Sequence, residues 1–372
     1  MELYDTARRA VVPFRPGRLV TLYSCGITPY DAAHLGHAQV YLTFDVLHRR
    51  LLDAGHQVRL VRNVTDVDDD ILRRARELGV FYLDLAAEEM ARFDATMDQL
   101  GLLPVAAEPR ATSAIPEVLS LVQALLDKGH AYRAAGAVYY SVASFPRFGA
   151  LSGLRRDEML ALAAERGGRP DDPAKADPLD FVLWQPSGPG EPSWSSRWGP
   201  GRPGWHIECS ALAMRELGET VDLHGGGSDL VFPHHECEVA QSEAVTGRTF
   251  VRHWLHVGMV RLDGVKMSKS LGNLVFADDL LKEAEPAAVR LALLAHHYRE
   301  DWDWRPEDLL QARDRLARWR QAPRHGDDGA LAAVRSHLDR DLDCPGALAA
   351  LDELARAGRG VLDGAALLGI TL

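Results

Sequence analysis

The chain has 372 residues, 47% of them hydrophobic and 26% charged, with a formal net charge of −11. That balance belongs to a soluble globular protein with room for two or three domains, and the acidic total speaks against a large nucleic-acid surface. No apolar run reaches membrane-spanning length and no leader-like segment opens the chain, so a cytoplasmic location without a membrane partner is expected. The four cysteines, Cys25, Cys209, Cys237 and Cys344, are too scattered for a disulfide scaffold, which leaves metal or catalytic roles open.

In chain order, Leu19 to Ser24 reads as a strand. It runs through Cys25-Gly-Ile-Thr-Pro-Tyr-Asp-Ala-Ala-His-Leu-Gly-His37 into an amphipathic helix from about Leu35 to Ala54. A strand, a Gly/Pro turn and a helix start carrying His34 and His37 make an anion site: free helix N–H groups, close backbone approach at Gly36 and two imidazole donors. An ordinary βα turn with surface histidines is the alternative. A second strand, His56 to Arg62, ends in Asn63-Val64-Thr65 and the acidic run Asp66 to Asp70. That run is either a metal cluster or, in the favoured reading, the cap of the next helix. This βαβ pattern predicts an α/β fold with a doubly wound parallel sheet, Rossmann-like in arrangement.

Two helices, separated by a loop around Leu103 to Pro109, are expected between residues 84 and 130, and a short strand at Ala137 to Val142. Residues from about 84 to 178 form an insertion in a catalytic domain spanning 1–277. Glu165 to Pro170 reads as a flexible surface turn. The chain is expected to rejoin the sheet near Phe181 to Trp184. A Pro/Gly/Ser/Trp-rich loop then delivers Gly204-Trp205-His206-Ile207-Glu208-Cys209 to a helix. After strand Val221 to His224 comes the glycine-rich turn Gly225-Gly226-Gly227-Ser228-Asp229, and then a helix beginning Phe232-Pro233-His234-His235-Glu236-Cys237-Glu238, with Pro233 suited to a first turn. Strand Arg252 to Met259 leads to Val260 and to Lys266-Met267-Ser268-Lys269-Ser270. Residues 278–372 read as helices only, forming a C-terminal helical domain.

His234 and Glu238 lie four apart on one helix face. With Cys209 at a helix start and Cys25 at a strand end, they supply two thiols, an imidazole and a carboxylate if the sheet edge brings them together. That set suits Zn²⁺. Buried structural cysteines and a surface His/Glu pair are the competing reading. An open zinc position would admit a substrate thiol as thiolate and discriminate against a hydroxyl. Lys266 and Lys269, with two neighbouring hydroxyls, can follow a departing pyrophosphate, or form a solvated basic loop.

Taken together, His34-Leu35-Gly36-His37 and Lys266-Met267-Ser268-Lys269-Ser270, in this order on an α/β sheet, resemble the two signatures of class I aminoacyl-tRNA synthetases. Cys25, Gly204 to Cys209 and Gly225 to Glu238 resemble the cysteine-activating branch, which includes cysteinyl-tRNA synthetases and the mycothiol-pathway ligases that join cysteine to glucosaminyl-inositol. Ligase-like features are Gly26-Ile27-Thr28-Pro29-Tyr30-Asp31, Glu165 to Pro170 with Arg169 in place of Asp, His297-Tyr298-Arg299, Leu367-Leu368-Gly369, and an end after one helical domain, where a synthetase continues into an anticodon-reading region. Synthetase-like features are Glu238, Glu236 to Glu243, Trp254-Leu255-His256, and Val40 in place of Thr; these bear on the acceptor.

The resemblance implies an AMP-forming ligase that makes cysteinyl-adenylate from L-cysteine and ATP, taken with Mg²⁺, and passes the cysteinyl group to glucosaminyl-inositol or a related amine. A tRNA is the less favoured acceptor. It implies zinc on Cys25, Cys209 and His234, with Glu238 as fourth ligand. Gly26, Ile27, Thr28 and Trp205 would surround the cysteinyl part together with Cys25. Asn63, Val64, Thr65, Gly227, Ser228, Asp229 and Val260 would line the adenylate. His34 and His37 would contact the phosphates, and Lys266 and Lys269 the departing pyrophosphate.

Overall fold

A computed structural model describes residues 1–30, 33–267, 271–324 and 327–372. Lys269 and Asp31 lie outside the described residues. The chain opens with a hairpin of β1 (Glu2–Asp5) and β2 (Ala10–Pro13), followed by β3 (Leu19–Ile27), α1 (Leu35–Asp53), β4 (Gln57–Val64), α2 (Asp69–Leu78) and α3 (Tyr82–Gln99). Next come α4 (Ile115–Asp127), β5 (Ala131–Ala134), β6 (Ala137–Tyr140), α5 (Arg156–Glu165), β7 (Phe181–Gln185) and β8 (Arg202–Pro203). They are followed by α6 (Trp205–Leu217), β9 (Leu223–Gly227), α7 (Glu236–Thr246), β10 (Trp254–Val257), β11 (Val260–Leu262) and β12 (Val265–Lys266). The remainder comprises α8 (Ala277–Glu283), α9 (Pro286–Leu294), β13 (Trp302–Asp303), α10 (Pro306–Gln321), α11 (Asp328–Leu338), α12 (Cys344–Arg356) and α13 (Leu362–Leu367). No helix among the described residues is long and apolar enough to cross a membrane.

The central sheet is parallel, in the order β10-β9-β3-β4. Strand alternation assigns its two faces. Val20, Leu22 and Leu60 enter one core with Leu35, Leu42 and Leu47 of α1. Tyr23, Cys25 and Val61 enter another with Cys209, Leu212 and Ala213 of α6. The expected doubly wound arrangement is therefore present, with a helix on each face. The loop after α3 runs beside β4, where Arg62 N–H donates to Ala107 O at 3.2 Å and Val64 N–H to Pro109 O at 2.9 Å. Asp68 caps α2, its carboxylate accepting from the Ile71 N–H at 2.9 Å, as the capping reading of the acidic run expects.

Two expectations are corrected. The strand at Phe181–Gln185 does not rejoin the parallel sheet; it is β7 of a separate antiparallel sheet, in the order β5-β6-β7-β8. Its Phe181, Leu183 and Trp184 pack with Val118, Leu121 and Leu125 of α4 in a core of their own. A short apolar run signals burial but not which sheet receives it. Nor is the chain beyond residue 278 purely helical: β13 pairs parallel to β11, with Val260 opposite Trp302 and Arg261 opposite Asp303. Two residues carry no readable periodicity.

The helices that follow share the core of α1, where Val289, Leu291, Leu316, Val334 and Leu348 are buried. Arg290 is 1% exposed. It donates to Leu368 O at 2.7 Å, to Leu100 O at 3.0 Å and to the Asp45 carboxylate on α1.

Candidate active site and metal centre

The C-terminal ends of β3, β4 and β9 converge on one edge of the sheet, where a ligand crevice is expected in an open α/β fold. The Gly26 N–H donates to Asn63 Oδ1 at 2.8 Å. A Cβ on residue 26 would fall 1.5 Å from the Asn63 carbonyl oxygen, so only glycine permits this approach. Thr65 N–H donates to Ile27 O at 3.0 Å, and Asn63 Nδ2 donates to Thr65 Oγ1 at 3.1 Å. The Thr28 hydroxyl donates to Asp68 at 3.1 Å. Gly26, Ile27, Thr28, Asn63, Val64 and Thr65 thus form one hydrogen-bonded floor.

His34 occupies the N-cap of α1, and its ring stacks on that of His37 at 3.8 Å. A Cβ at Gly36 would lie 2.9 Å from the His34 ring. Residues 275–277 hold this helix start in place: Leu35 N–H donates to Val275 O at 2.9 Å and Ala277 N–H to Ala33 O at 3.0 Å. Lys266 reaches the Asp229 carboxylate at 3.4 Å. Gly227, Ser228 and Asp229 form a tight turn after β9, while Gly225 passes so close to β10 that a Cβ would meet Leu255 O at 1.6 Å. Val260 is buried at the start of β11 and belongs to the core shared with α1.

Below this turn lies a buried cluster of sulfur, imidazole and carboxylate. Donor atoms of Cys25, His234, His235 and Glu238 all lie within 4.8 Å of one another. His234 Nε2 is 3.0 Å from Glu238 Oε1, and His224 Nε2 is 2.9 Å from Glu238 Oε2. Cys25 Sγ is 3.2 Å from His235 Nε2 and 3.7 Å from Glu238 Oε1. Cys209, near the start of α6, is not one of these four but is buried in one core with Cys25. Trp205, in the first turn of α6, stacks on His234 at 4.2 Å. Of the four residues singled out from sequence, the structure brings Cys25, His234 and Glu238 into this group and adds His235, with Cys209 in the core beside Cys25. Cys237 is buried in the antiparallel sheet's core, as a packing residue.

The electrostatics of the cluster are those of a site built for a cation. The hydrogen bond from Cys25, helped by His234, brings the Cys209 thiol down to about 6 against the effect of burial. Burial opposes charge on His234, yet Cys209 and Glu238 raise it to about 10. Burial likewise works against ionised Glu238, but His224 and His234 bring it down to about 2. Burial, followed by Cys209, pushes the Cys25 thiol up. A divalent metal replaces the imidazolium proton in such a set and ionises the second thiol. Two sulfurs, one imidazole and one carboxylate match zinc in softness and number.

Two contributors escape sequence reasoning. His235 escapes because a regular helix would turn it away from the His234/Glu238 face. In the structure Phe232 leaves helical backbone (φ −137°, ψ 135°), so His234 and His235 lie in an irregular turn and α7 begins only at Glu236. Pro233 therefore sits in that turn and not in the first turn of a regular helix. Arg166, in the stretch read as a surface turn, donates to the carbonyl oxygens of both Asp229 and Phe232. It ties α5 to the segment joining Asp229 to His234. A charged Gly/Pro turn gives no local sign of such a contact.

The family model described as tRNA synthetases class I (C) catalytic domain matches residues 11–314. The chain is 49% identical to the L-cysteine:1D-myo-inositol 2-amino-2-deoxy-alpha-D-glucopyranoside ligase of Streptosporangium roseum, over 100% of this chain and 96% of the relative. It is 52% identical to the protein of the same name from Mycobacterium marinum, over 95% of this chain and 88% of the relative. Among solved structures, Mycobacterium tuberculosis methionyl-tRNA synthetase with methionyl-adenylate superposes with a TM-score of 0.68 at 16% identity, covering 91% of this chain and 82% of that one. A ternary LeuRS–tRNA–LeuAMS complex from Agrobacterium radiobacter K84 gives 0.62 at 14% identity, covering 96% and 83%. These distant structures share the fold.

Proposed function

The chain belongs to the L-cysteine:1D-myo-inositol 2-amino-2-deoxy-alpha-D-glucopyranoside ligases, built on a class I (C) tRNA synthetase catalytic domain, and on that footing we propose that it activates L-cysteine with ATP and transfers it to the glucosaminyl-inositol amine in mycothiol biosynthesis. The reaction belongs in the cytoplasm, where ATP enters with Mg²⁺. A cysteine carboxylate oxygen attacks the α-phosphorus of ATP, and pyrophosphate leaves. The acceptor nitrogen then attacks the acyl carbon, AMP leaves, and an amide forms.

The chain's own residues supply position and charge. The Gly26–Thr28 and Asn63–Thr65 floor holds the cysteinyl-adenylate against the Gly227–Asp229 turn. His34 and His37 hold the triphosphate at the α1 N-terminus. Lys266 and Lys269 stabilise charge on pyrophosphate as it departs. Zinc, held by Cys25, Cys209, His234 and Glu238, supplies affinity for a substrate thiolate over a hydroxyl.

One observation carries the reading: a buried thiol–imidazole–carboxylate cluster lies beneath the same sheet edge as a two-histidine helix start and a lysine–aspartate pair. The test supplies ATP with cysteine or serine and follows pyrophosphate exchange, then adds glucosaminyl-inositol or tRNA and follows AMP release and product mass. Cysteine-dependent exchange and a cysteinyl-sugar amide are expected. Aminoacylated RNA in place of the amide would assign the chain to tRNA charging, and no exchange would defeat the reading.

A further inference from the structure

A hydrogen-bonded chain runs from the buried cluster through two imidazoles to the N-terminal hairpin. Cys25 Sγ is 3.2 Å from His235 Nε2. Nδ1 of the same ring shares a hydrogen bond of 2.7 Å with Nε2 of His256, on β10. Nδ1 of His256 shares another of 2.7 Å with the hydroxyl of Thr6. Thr6 follows β1 in the N-terminal hairpin, and its N–H donates to Trp254 O at 3.0 Å, which anchors it beside β10. Both imidazoles are buried: His235 is 0% exposed and His256 8%.

We propose that Thr6, His256 and His235 act as positioning residues that fix one tautomer along this chain, aim an N–H at the sulfur of Cys25 and set that sulfur's donor strength toward a bound metal. The argument is one of donors and acceptors. A neutral imidazole has one N–H and one lone pair, so fixing either ring nitrogen fixes the other. In a metal-loaded site Cys25 is a thiolate and accepts only. A ring nitrogen bearing a lone pair 3.2 Å from that sulfur would set two lone pairs against each other. His235 therefore carries its proton on Nε2, its Nδ1 accepts from His256 Nε2–H, and His256 Nδ1 accepts from the Thr6 hydroxyl. Of the two end groups the thiolate only accepts, whereas the Thr6 hydroxyl can donate or accept, so Thr6 lets the whole chain point toward the sulfur. A hydrogen bond to a metal-bound thiolate draws electron density from it and holds the ligand in one orientation.

The inference rests on the reading of the cluster as a metal site, and the experiment separates the two. In zinc-loaded wild-type protein labelled with ¹⁵N-histidine, NMR is expected to place the protons of His235 and His256 on Nε2. Protons on Nδ1 of both rings would overturn the proposal and would instead fit His235 Nε2 as a metal ligand. In cobalt-substituted protein, Thr6→Val removes only the hydroxyl. It should move the thiolate-to-cobalt charge-transfer band to lower energy and speed metal loss to a chelator about tenfold. Thr6→Ser should restore both. An unchanged band and an unchanged loss rate in Thr6→Val would overturn the proposal. A wild-type protein that takes up no cobalt or zinc would defeat the metal reading itself, while tautomers measured without metal would still decide the direction of the chain.

Discussion

The carboxylate of Glu238 bridges two buried imidazoles, with Oε1 3.0 Å from His234 Nε2 and Oε2 2.9 Å from His224 Nε2. His224 in turn places Nδ1 3.0 Å from Tyr23 O, so this side of the cluster is fixed by the backbone of β3. Glu238→Gln keeps the size and removes the charge. It is expected to weaken zinc retention about 10- to 100-fold in chelator competition while the far-UV circular dichroism stays unchanged. Equal retention by the variant and the wild type would remove Glu238 from the ligand set.

Stripping the metal should remove discrimination before it removes the fold. The core that the parallel sheet shares with α1 contains none of the candidate ligands, whereas Cys25 and Cys209 belong to the smaller core under α6. Chelated protein is therefore expected to lose its preference for cysteine over serine in pyrophosphate exchange while retaining ATP binding. Zinc added back should restore the preference. A preference that persists without metal would place the discrimination elsewhere.

The lysines should act on rate and not on amino-acid affinity. Lys266→Ala removes the partner of Asp229, and Lys269→Ala removes the second cation of the motif. Each is expected to slow pyrophosphate exchange about 100-fold or more, with the KM for cysteine changed by less than about threefold, because the charge is needed as pyrophosphate departs. Unchanged exchange in either variant would count against its role.

Gly26 has no room for a side chain, since a Cβ would meet the Asn63 carbonyl at 1.5 Å. Gly26→Ala must push β3 and β4 apart at the substrate floor. A loss of about 2–3 kcal/mol in urea unfolding is expected, together with a raised KM for cysteine. A variant as stable and active as the wild type would mean that the strand ends separate freely.

Arg290 and Asp45 form a buried ion pair between α9 and α1, with Arg290 also satisfying the carbonyls of Leu100 and Leu368. Removing Arg290 leaves Asp45 with Arg49 as its remaining cation and two carbonyls without their donor, so Arg290→Met should cost about 3–5 kcal/mol, and adding Asp45→Leu should recover only part of it. Urea midpoints for the two single variants and the double variant would measure the coupling.

Much of the site was legible because its chemistry is local. His34, Gly36 and His37 sit within one turn, and a strand–turn–helix rhythm announces where that turn points. Cys25, Cys209, His234 and Glu238 stood out by ligand type, and three of them share the buried group with His235, while the acidic run before α2 was readable by its capping position. The reading of Phe181 to Trp184 as part of the parallel sheet failed because a four-residue apolar run shows that it is buried and says nothing about which strands will flank it.

The sequence by itself determined which residues could do the chemistry and which local elements would carry them, since helix period, strand alternation and turn residues are properties of neighbours in the chain. Only the tertiary structure decided that Cys25 and Cys209 share one core across a strand–helix interface, that β13 pairs with β11, that the break at Phe232 turns His235 toward a sulfur, and that Thr6 stands at the far end of its hydrogen-bonded chain. These are contacts between segments tens to hundreds of residues apart, fixed by how whole faces pack, and no local pattern encodes them.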